Sequence, residues 1–489
     1  MVKKVKLFFF RRKDSVSARK NQKNLHNSTK TFIFVPELLN ETYMKKPLLT
    51  FCYVICCMLM GSMLTHAQNF RNQSDLQWIA VPDDNDWTYK LGKDARVSLQ
   101  LLWHGMPLEN IEVGYSIGGD CLEADTQGSV KTDARGNAEI RIKSPKKAGF
   151  RDCKMSCEVE GVQFDNHIKV GWSPELLTAY TQMPKDFEAF WKQVLEEQEK
   201  ASKLKPVVKP APEYSSDKVD CYLVKLNGGF TGAPHSIYGY LSIPKKEGKF
   251  PVLVSPPGAG VKHMDPLKTQ FYASEGNIIR LELEIHGINP SISAEDYKDI
   301  SRSFGDHMGN GYLVNGIQSR DTYYMKKVYA CLLRAVDYLT TLEQWDGKNI
   351  LIQGNSQGAA LSIVLAGLDP RITAVAIAHP ALSDMAGYAE EGRTGGYPHF
   401  NRNYKEVKLD KQTIETLAYY DVVNFARLVK CPVYLTWGYN DNTCPPTTSC
   451  IVWNTLTCEK ESYITPINEH WISTETRYRQ MRFLQKHLK

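Results

Sequence analysis

The sequence lacks a strong excess of either charge once its first 46 residues are set aside. The 489 residues carry a formal net charge of +6, but residues 1–46 hold 12 Lys and Arg against three acidic residues. The remaining chain has 48 basic and 51 acidic side chains. A near-neutral body offers no electrostatic surface for nucleic acid. We therefore expect no nucleic-acid partner.

The sequence also lacks the interleaved His and Cys residues, at ligand spacing, that metal sites require. We expect no metal and no other cofactor, so the chemistry should depend on amino-acid side chains alone. Nine of the 12 cysteines lie beyond residue 67. An odd number leaves at least one thiol unpaired in an exported protein, and the pairing of the others cannot be read from the sequence.

Residues 47–67 contain no charged residue. They follow Lys45 and Lys46 and end on His66-Ala67, an arrangement typical of a secretory signal peptide. We predict a signal peptide over Met44–Ala67 and a secreted or periplasmic protein without stable membrane association after cleavage. A membrane anchor is the alternative, since the stretch is just long enough to span a bilayer. Residues 1–43 are interpreted as a basic upstream segment outside the mature protein.

Residues 68–172 show strand-like alternation of apolar and polar residues, with turn residues between the runs. The clearest runs are Val97-Leu99-Leu101, Ile111-Val113-Tyr115-Ile117 and Ala138-Ile140-Ile142. This pattern predicts a small antiparallel β-sandwich domain. It gathers no nucleophile and no acid–base pair, so we interpret it as a packing module. Binding of a sugar or of a neighbouring domain is the alternative.

Residues 173–489 change in character, because short apolar strands alternate with longer helical patterns. The candidate strands are Val252–Ser255, Ile278–Leu283, Asn349–Gln353, Ala374–Ala378, Val433–Trp437 and Tyr463–Thr465. The candidate helices are residues 184–200, Tyr324–Thr341 and Gly358–Leu368. Nearly all-apolar strands separated by helices predict an α/β fold, with a mostly parallel sheet covered by helices on both faces.

The strongest chemical motif is Gly354-Asn355-Ser356-Gln357-Gly358, which a strand precedes and a helix follows. This context is typical of a nucleophile elbow, where Gly354 and Gly358 allow a turn so tight that the serine oxygen stands above the sheet. A strand-to-helix turn with an incidental serine is the alternative. Ser356 is the predicted nucleophile.

A serine hydroxyl needs a base that is held in place by a third group. In this type of fold the acid follows the serine in the chain and the histidine comes last. Asp441 lies on the loop after Val433–Trp437, and His470 lies on the loop after the last candidate strand. We predict Asp441 and His470 as the catalytic partners. The competing acids are Asp384 and Asp421, and the competing bases are His379 and His399.

Two N–H donors should stabilise the negative charge that develops on the reacting oxygen. The first is expected from Gln357, directly after the nucleophile. The second is expected from Ala259, in the glycine-rich loop Pro256–Gly260 that follows an early strand. Gly260 is the second choice for this donor, and a plain Pro/Gly turn is the alternative for the whole loop.

From about Pro184 onward the chain resembles the acetyl xylan esterase/cephalosporin C deacetylase family, carbohydrate esterase family seven, of the α/β-hydrolase superfamily. The resemblance rests on Pro184–Trp191, the serine motif with its glutamine, Leu368–Arg371, Gly438–Asp441 and Cys444–Thr447. It implies an α/β-hydrolase fold, acetyl-ester hydrolysis on acetylated carbohydrate, and a homo-oligomer.

The sequence departs from the family pattern at three places. His286-Gly287-Ile288-Asn289 stands where the family has Arg-Gly-Gln-Gly, and Pro257-Gly258-Ala259 replaces His-Gly-Tyr. The usual Gly-His-Glu around the base is Glu469-His470-Trp471 here. These changes lie around the predicted pocket and outside the triad, so they affect the expected acyl and sugar preference.

The sequence therefore predicts a secreted serine esterase that removes acetyl groups from xylan-type oligosaccharides through an acetyl-Ser356 intermediate. One alternative is a serine peptidase of the prolyl oligopeptidase type, although residues 68–172 are too few for a propeller. Another is a non-catalytic carbohydrate-binding protein on a hydrolase scaffold. If the β segment only packs, a protein starting near Ser173 should still hydrolyse a small acetyl ester.

Overall fold

The computed structural model describes residues 74–305 and 310–489. Residues Gln73–Lys489 form one compact unit. The predicted signal peptide and the upstream segment lie outside the described residues and stay predictions. None of the helices in the two described ranges is long and apolar enough to cross a membrane.

The first part of the described chain consists of strands. They are β1 Leu76–Pro82, β2 Thr88–Tyr89, β3 Ala95–Trp103, β4 Met106–Pro107, β5 Glu112–Gly119, β6 Ala124–Lys131, β7 Asn137–Ile142, β8 Gly149–Val159 and β9 Val162–Trp172. One sheet contains β1, β3, β4 and β7, and the other has the order β2-β9-β8-β5-β6. The inward residues of both sheets, such as Leu99, Ile140, Ile117 and Met155, share one apolar core. The predicted β-sandwich is confirmed.

The second part of the chain is built on a nine-stranded sheet. Its strands are β10 Val207–Pro210, β11 Val219–Phe230, β12 Ala233–Pro244, β13 Phe250–Ser255, β14 Ile279–Glu284, β15 Trp345–Asn355, β16 Ala374–Ala378, β17 Val433–Trp437 and β18 Lys460–Ile464. The order is β10-β11-β12-β14-β13-β15-β16-β17-β18. Strands β14 to β18 run parallel in that order, and β10, β11 and β12 form an antiparallel edge.

Helices cover both faces of this sheet. They are α1 Phe187–Ala201, α2 Phe271–Ser274, α3 Ala294–Ser303, α4 Met325–Leu339, α5 Gln357–Leu368, α6 Phe400–Asn403, α7 Lys411–Ala418, α8 Val422–Ala426, α9 Pro446–Thr455 and α10 Thr474–Lys486. Alternate strand residues explain the two layers. Val254, Ile352 and Ile377 pack into the core with α4 and α5, whereas Leu253 and Leu351 pack with α2 and α10.

The predicted parallel strands are confirmed, with shifts of a few residues at their ends. The antiparallel strands β10, β11 and β12 were not predicted. Polar and glycine residues such as Asn227 and Gly228 interrupt the apolar pattern of this hairpin, whose twelve-residue arms stabilise each other by cross-strand pairing. The β-sandwich ends at Trp172, as expected, but both parts belong to one compact unit, so the division into two domains stays a prediction.

The nine cysteines beyond residue 120 are all free thiols. Six of them are buried, for example Cys331 on α4 and Cys444 in the loop after β17. In the described residues the fold is therefore stabilised by its apolar cores and hydrogen bonds, and no disulfide contributes.

Candidate active site

Ser356 stands between the end of β15 and the start of α5. Its backbone has φ 58° and ψ −124°, a strained conformation for a residue with a side chain. A Cβ atom on Gly354 would overlap the carbonyl oxygen of Gly358, and one on Gly358 would overlap that of Pro256. The turn therefore requires glycine at both positions. This is the geometry of a nucleophile elbow.

The structure brings the three predicted triad residues together. His470 Nε2 lies 3.0 Å from Ser356 Oγ, and His470 Nδ1 lies 2.7 Å from Asp441 Oδ2. Asp441 is fully buried, whereas His470 is partly exposed. A hydroxyl, an imidazole and a buried carboxylate in this linear order form the arrangement that activates serine as a nucleophile.

The loop after β17 prepares Asp441 to remain a carboxylate. Its Oδ1 accepts hydrogen bonds of 2.8 Å from the backbone N–H groups of Thr443 and Cys444. Burial by itself raises the pKa of Asp441, but the hydrogen bond and charge of His470, with the N–H donors, outweigh burial and hold that pKa below its usual range. An ionised Asp441 can fix the His470 tautomer and stabilise the imidazolium.

The β-sandwich supplies residues that hold the same loop. Lys169, on β9, is fully buried; its Nζ pairs with Asp120 at 2.8 Å and donates to the backbone oxygen of Asp441 at 2.7 Å. The Lys169 N–H donates to Asn440 Oδ1 at 2.8 Å. Asp120 Oδ2 accepts from the hydroxyl of Thr447 at 2.8 Å, at the start of α9. The sandwich thus does more than pack: it contacts the residues on both sides of the predicted acid.

The expected oxyanion donors lie around the elbow. Gln357 is fully buried at the first turn of α5, and the loop Pro256–Gly260 lies against it, since Pro256 nearly touches Gly358. The N–H of Gly260 donates to the hydroxyl of Tyr312 at 3.2 Å, and that hydroxyl donates to Gln357 Oε1 at 2.6 Å. The engaged N–H of Gly260 favours Ala259 as the second donor, which stays a prediction.

The competing acids have other roles. Asp384 accepts from the N–H of Thr181 and pairs with Arg393, and Asp421 accepts from the N–H groups of Asp384 and Met385. Both carboxylates are buried, and Asp421 lies against the backbone of Asp384. Burial, with a smaller effect of the Asp384 charge, raises the pKa of Asp421. They connect the loops before α6 and α8 and do not contact His470.

The competing bases lie near the triad without joining its hydrogen-bond chain. His399 contacts Tyr388 Oη at 2.7 Å and the backbone oxygen of Thr443 at 2.9 Å, so it supports the acid loop. The ring of His379 lies 4.4 Å from that of His470, centroid to centroid. Burial, with a smaller effect of His470, lowers the pKa of His379 to about 3, so a neutral ring faces the predicted base.

Ligand atoms of His379, Asp441 and His470 lie within 4.8 Å of one another, as do those of Glu459, Glu461 and His487. In the first group, His470 Nδ1 and Asp441 Oδ2 already form the triad hydrogen bond. A metal ion there would have to displace the contact that orients the base. The second group has an exposed glutamate and lies at the far end of β18.

The segment with the altered family signature forms a buried turn after β14. Glu284 accepts from the N–H groups of His286, Gly287 and Ile288, and His286 Nδ1 lies 3.0 Å from Tyr324 Oη. Burial lowers the pKa of His286 to about 3. A neutral His286 therefore stands where the resembling family has a permanently charged arginine.

Sequence reasoning missed Lys169, Asp120 and Tyr312 as neighbours of the site. Lysine is rarely fully buried unless it is paired. A signal for Lys169 was present, since this lysine stands within the apolar run Ile168–Trp172 at an outward-facing strand position. The partner loop is about 270 residues away in the chain, so nothing local indicated what the lysine contacts.

Comparisons with known proteins identify the family to which the chain belongs. Residues 176–487 match the acetyl xylan esterase (AXE1) family. The chain is 51% identical over 460 residues to the acetyl esterase Axe7A of Xylanibacter ruminicola. The aligned residues cover 94% of this chain and all of that protein.

Two solved structures share the fold. Acetyl xylan esterase 1 from Thermoanaerobacterium sp. JW/SL YS485 is 21% identical with a TM-score of 0.54, over 65% of this chain and 98% of that one. An acetyl xylan esterase from Paenibacillus sp. R4 is 23% identical with a TM-score of 0.54, over 64% of this chain and 98% of that one. The β-sandwich lies outside the residues that match the family.

Proposed function

The chain belongs to the acetyl xylan esterase family and is a carbohydrate acetyl esterase, and we propose that it acts through Ser356, His470 and Asp441 on acetylated xylan-type oligosaccharides. The observation that carries this proposal is the hydrogen-bond chain from Ser356 Oγ through His470 to Asp441, with lengths of 3.0 and 2.7 Å. Both distances are within the reach that proton transfer requires.

In the first half of the reaction, Ser356 Oγ attacks the acetyl carbonyl while His470 Nε2 takes the hydroxyl proton. Asp441 Oδ2 accepts the Nδ1–H bond and stabilises the imidazolium. The negative carbonyl oxygen of the tetrahedral intermediate accepts N–H bonds from Gln357 and Ala259. His470 then gives its proton to the sugar oxygen, the C–O bond breaks, and acetyl-Ser356 remains.

In the second half, a water molecule attacks the acetyl carbon and His470 takes one of its protons. A second tetrahedral intermediate forms and collapses, His470 returns its proton to Ser356 Oγ, and the product leaves as acetic acid, which gives the second water proton to the solvent and becomes acetate. Every proton moves between the serine, the histidine, water and the sugar hydroxyl. The residues present therefore complete the reaction with no further group.

The peptidase alternative is less well supported. A prolyl oligopeptidase-type enzyme carries a propeller of repeated blades, whereas the described residues up to Trp172 form one sandwich of two sheets. The carbohydrate-binding alternative leaves the assembled triad without a role. As part of the same proposal, the protein is exported through Met44–Ala67 and forms a homo-oligomer.

The test is acetate release from acetylated xylo-oligosaccharides, with a peptide substrate measured in parallel. The proposal expects acetate from the wild-type protein, none above background from Ser356→Ala, and no peptide cleavage. Peptide cleavage without acetate release would overturn the substrate class. Acetate release that persists in Ser356→Ala would overturn the serine mechanism.

A further inference from the structure

One face of the five-stranded sheet carries a cleft that the catalytic proposal does not use. Residues of β5, β8 and β9 alternate between the sandwich core and this outer face. Val113, Ile117 and Met155 point inward and are almost fully buried. Ser116 and Lys154 lie side by side on the outer face.

The outer face is covered at one end only. There, Lys169 and Asp120 are fully buried against the loop that carries Asp441. Towards the other end the face opens into a cleft of about 650 Å³. This volume falls in the range of about 300–1,000 Å³ that is usual for small-molecule sites.

The floor of the cleft has a defined shape and chemistry. Gln127, Ser116, Lys154 and His167 form one row across β6, β5, β8 and β9. The next row contains Gly114, Ser156 and Asp165. Small residues at the centre make the depression, and longer polar side chains border it.

The wall of the cleft comes from the catalytic part of the chain. Asn442 and Glu469 line it, and they directly follow Asp441 and directly precede His470. Glu469 also approaches His167, with Oε1 3.7 Å from Nε2. The cleft therefore begins one residue along the chain from each of two triad members.

We propose that this cleft binds the sugar chain of the acetylated substrate, so that the β-sandwich supplies a carbohydrate subsite to the esterase. The inference rests on the proposed function and assigns a role to a part of the chain outside the family match. The lining offers both donors and acceptors, and its charged side chains are Lys154, Asp165 and Glu469. Mixed donors and acceptors with only a small net charge suit the hydroxyl groups of a neutral oligosaccharide.

The decisive variant is Ser116→Phe, which places an aromatic ring on the floor at a strand position that tolerates one. Its matched control is Ser98→Phe, an exposed serine on β3 of the other sheet. Activity is measured on acetylated xylo-oligosaccharides and on 4-nitrophenyl acetate. We expect Ser116→Phe to raise the KM for the oligosaccharides about tenfold, equivalent to about 1.4 kcal/mol of binding. The kcat, the small-ester activity and both activities of Ser98→Phe should stay unchanged.

A second measurement does not depend on the folding of Ser116→Phe. Unacetylated xylo-oligosaccharides should inhibit the hydrolysis of 4-nitrophenyl acetate by the wild-type protein, and Lys154→Ala, an exposed change, should weaken that inhibition. Equal KM values for wild type and Ser116→Phe, together with unchanged inhibition in Lys154→Ala, would overturn the subsite. So would a changed oligomeric state with unchanged KM, which would assign the cleft to a contact between copies.

The same experiment separates this inference from the proposed function. If the wild-type protein releases no acetate from the oligosaccharides, the proposed function fails. If it releases acetate and Ser116→Phe behaves like the wild type, only the subsite fails.

Discussion

The ammonium group of Lys169 donates a hydrogen bond of 2.7 Å to the backbone oxygen of Asp441, the predicted catalytic acid. Lys169 is fully buried and also pairs with the fully buried Asp120. Burial is the largest single effect and lowers the pKa of Lys169, but the charges of Asp120 and its neighbours, with the hydrogen bond to Asp120, together outweigh burial and raise that pKa above its usual value. The loop that carries the acid is thus attached to the sandwich through the buried Lys169–Asp120 pair.

Removing Lys169 should destabilise the protein and impair catalysis. Lys169→Met leaves Asp120 buried without its partner, and breaking a buried pair in this way costs about 3–5 kcal/mol. We expect a lower melting temperature and a reduced kcat on 4-nitrophenyl acetate. Lys169→Met/Asp120→Leu should recover most of the stability, but without the hydrogen bond to Asp441 its kcat should stay low. Lys90→Met, which breaks the exposed pair with Glu175, is the control and should change neither quantity.

The same contacts change what truncation is expected to do. A packing role predicted that a protein starting near Ser173 would keep its small-ester activity. In the structure, however, truncation removes Lys169, Asp120 and the N–H bond to Asn440 Oδ1 from the acid loop. We now expect the folded truncated protein to hydrolyse 4-nitrophenyl acetate poorly. Full activity in a truncated protein with intact circular dichroism would show that the acid loop keeps its position unaided.

The triad makes its own prediction. Ser356→Ala and His470→Ala should each lower kcat by about 10⁴–10⁶, because the two residues act as a unit. Asp441→Asn should cost about 10⁴, since the amide favours the wrong imidazole tautomer. Ser362→Ala is the matched control for Ser356→Ala: it lies on α5 and donates only to Gly358 within the helix, at 2.6 Å. A comparable loss of kcat in Asp384→Asn, with no loss in Asp441→Asn, would show that Asp384 and not Asp441 is the catalytic acid.

Buried histidines predict how stability depends on pH. Burial lowers the pKa of His286 and His379 to about 3 and that of His235 and His399 to about 4. Between pH 6.5 and about 4 the unfolded chain binds protons at these sites and the folded chain does not. The contribution of these neutral histidines to the free energy of unfolding is therefore fully present above pH 6.5. As the pH falls below 6.5 it is lost by about 1.4 kcal/mol per pH unit for each histidine.

The measurement is urea unfolding of wild type and His286→Phe at several pH values from 7 to 4.5. Glu284 acts in the opposite direction, because burial raises its pKa to about 7 and its protonation stabilises the folded state as the pH falls. The informative quantity is therefore the difference in unfolding free energy between the two proteins. His286→Phe should show the smaller loss of stability at low pH. Tyr324→Phe removes the same side-chain contact but keeps the imidazole, and it should retain the wild-type slope.

The sequence predicted best where local pattern and position in the chain decide the structure. The central parts of most parallel strands are runs of apolar residues, and the two glycines around Ser356 are required by close backbone contacts, so strand, turn and helix could be read directly. Asp441 and His470 followed from their order in the chain and their positions on loops after strands. Chain order could not reveal Lys169 or Tyr312, because their contacts join segments that are far apart in the sequence.

The last prediction concerns the length of the acyl chain. In the resembling family a tyrosine follows the glycine at the position of Gly258, and Ala259 replaces that tyrosine here. A Cβ atom on Gly258 would meet nothing within 4 Å. A cavity of about 350 Å³ lies beside it, lined also by Gly260 and Asn355 next to the nucleophile. This open space favours some tolerance for a longer acyl group. We expect acetyl to be preferred, with propionyl accepted more readily than the family resemblance implies.

The kcat/KM values for 4-nitrophenyl acetate, propionate, butyrate and octanoate measure this directly. Gly258→Leu should fill the space and lower the propionate value about tenfold while leaving acetate nearly unchanged, because losing the room for one methylene costs about 1–3 kcal/mol. Gly258→Ala is the conservative control and should have a small effect. If the wild-type maximum lies at butyrate or beyond, the acyl group occupies a larger pocket than this loop provides, and the preference for acetyl is wrong.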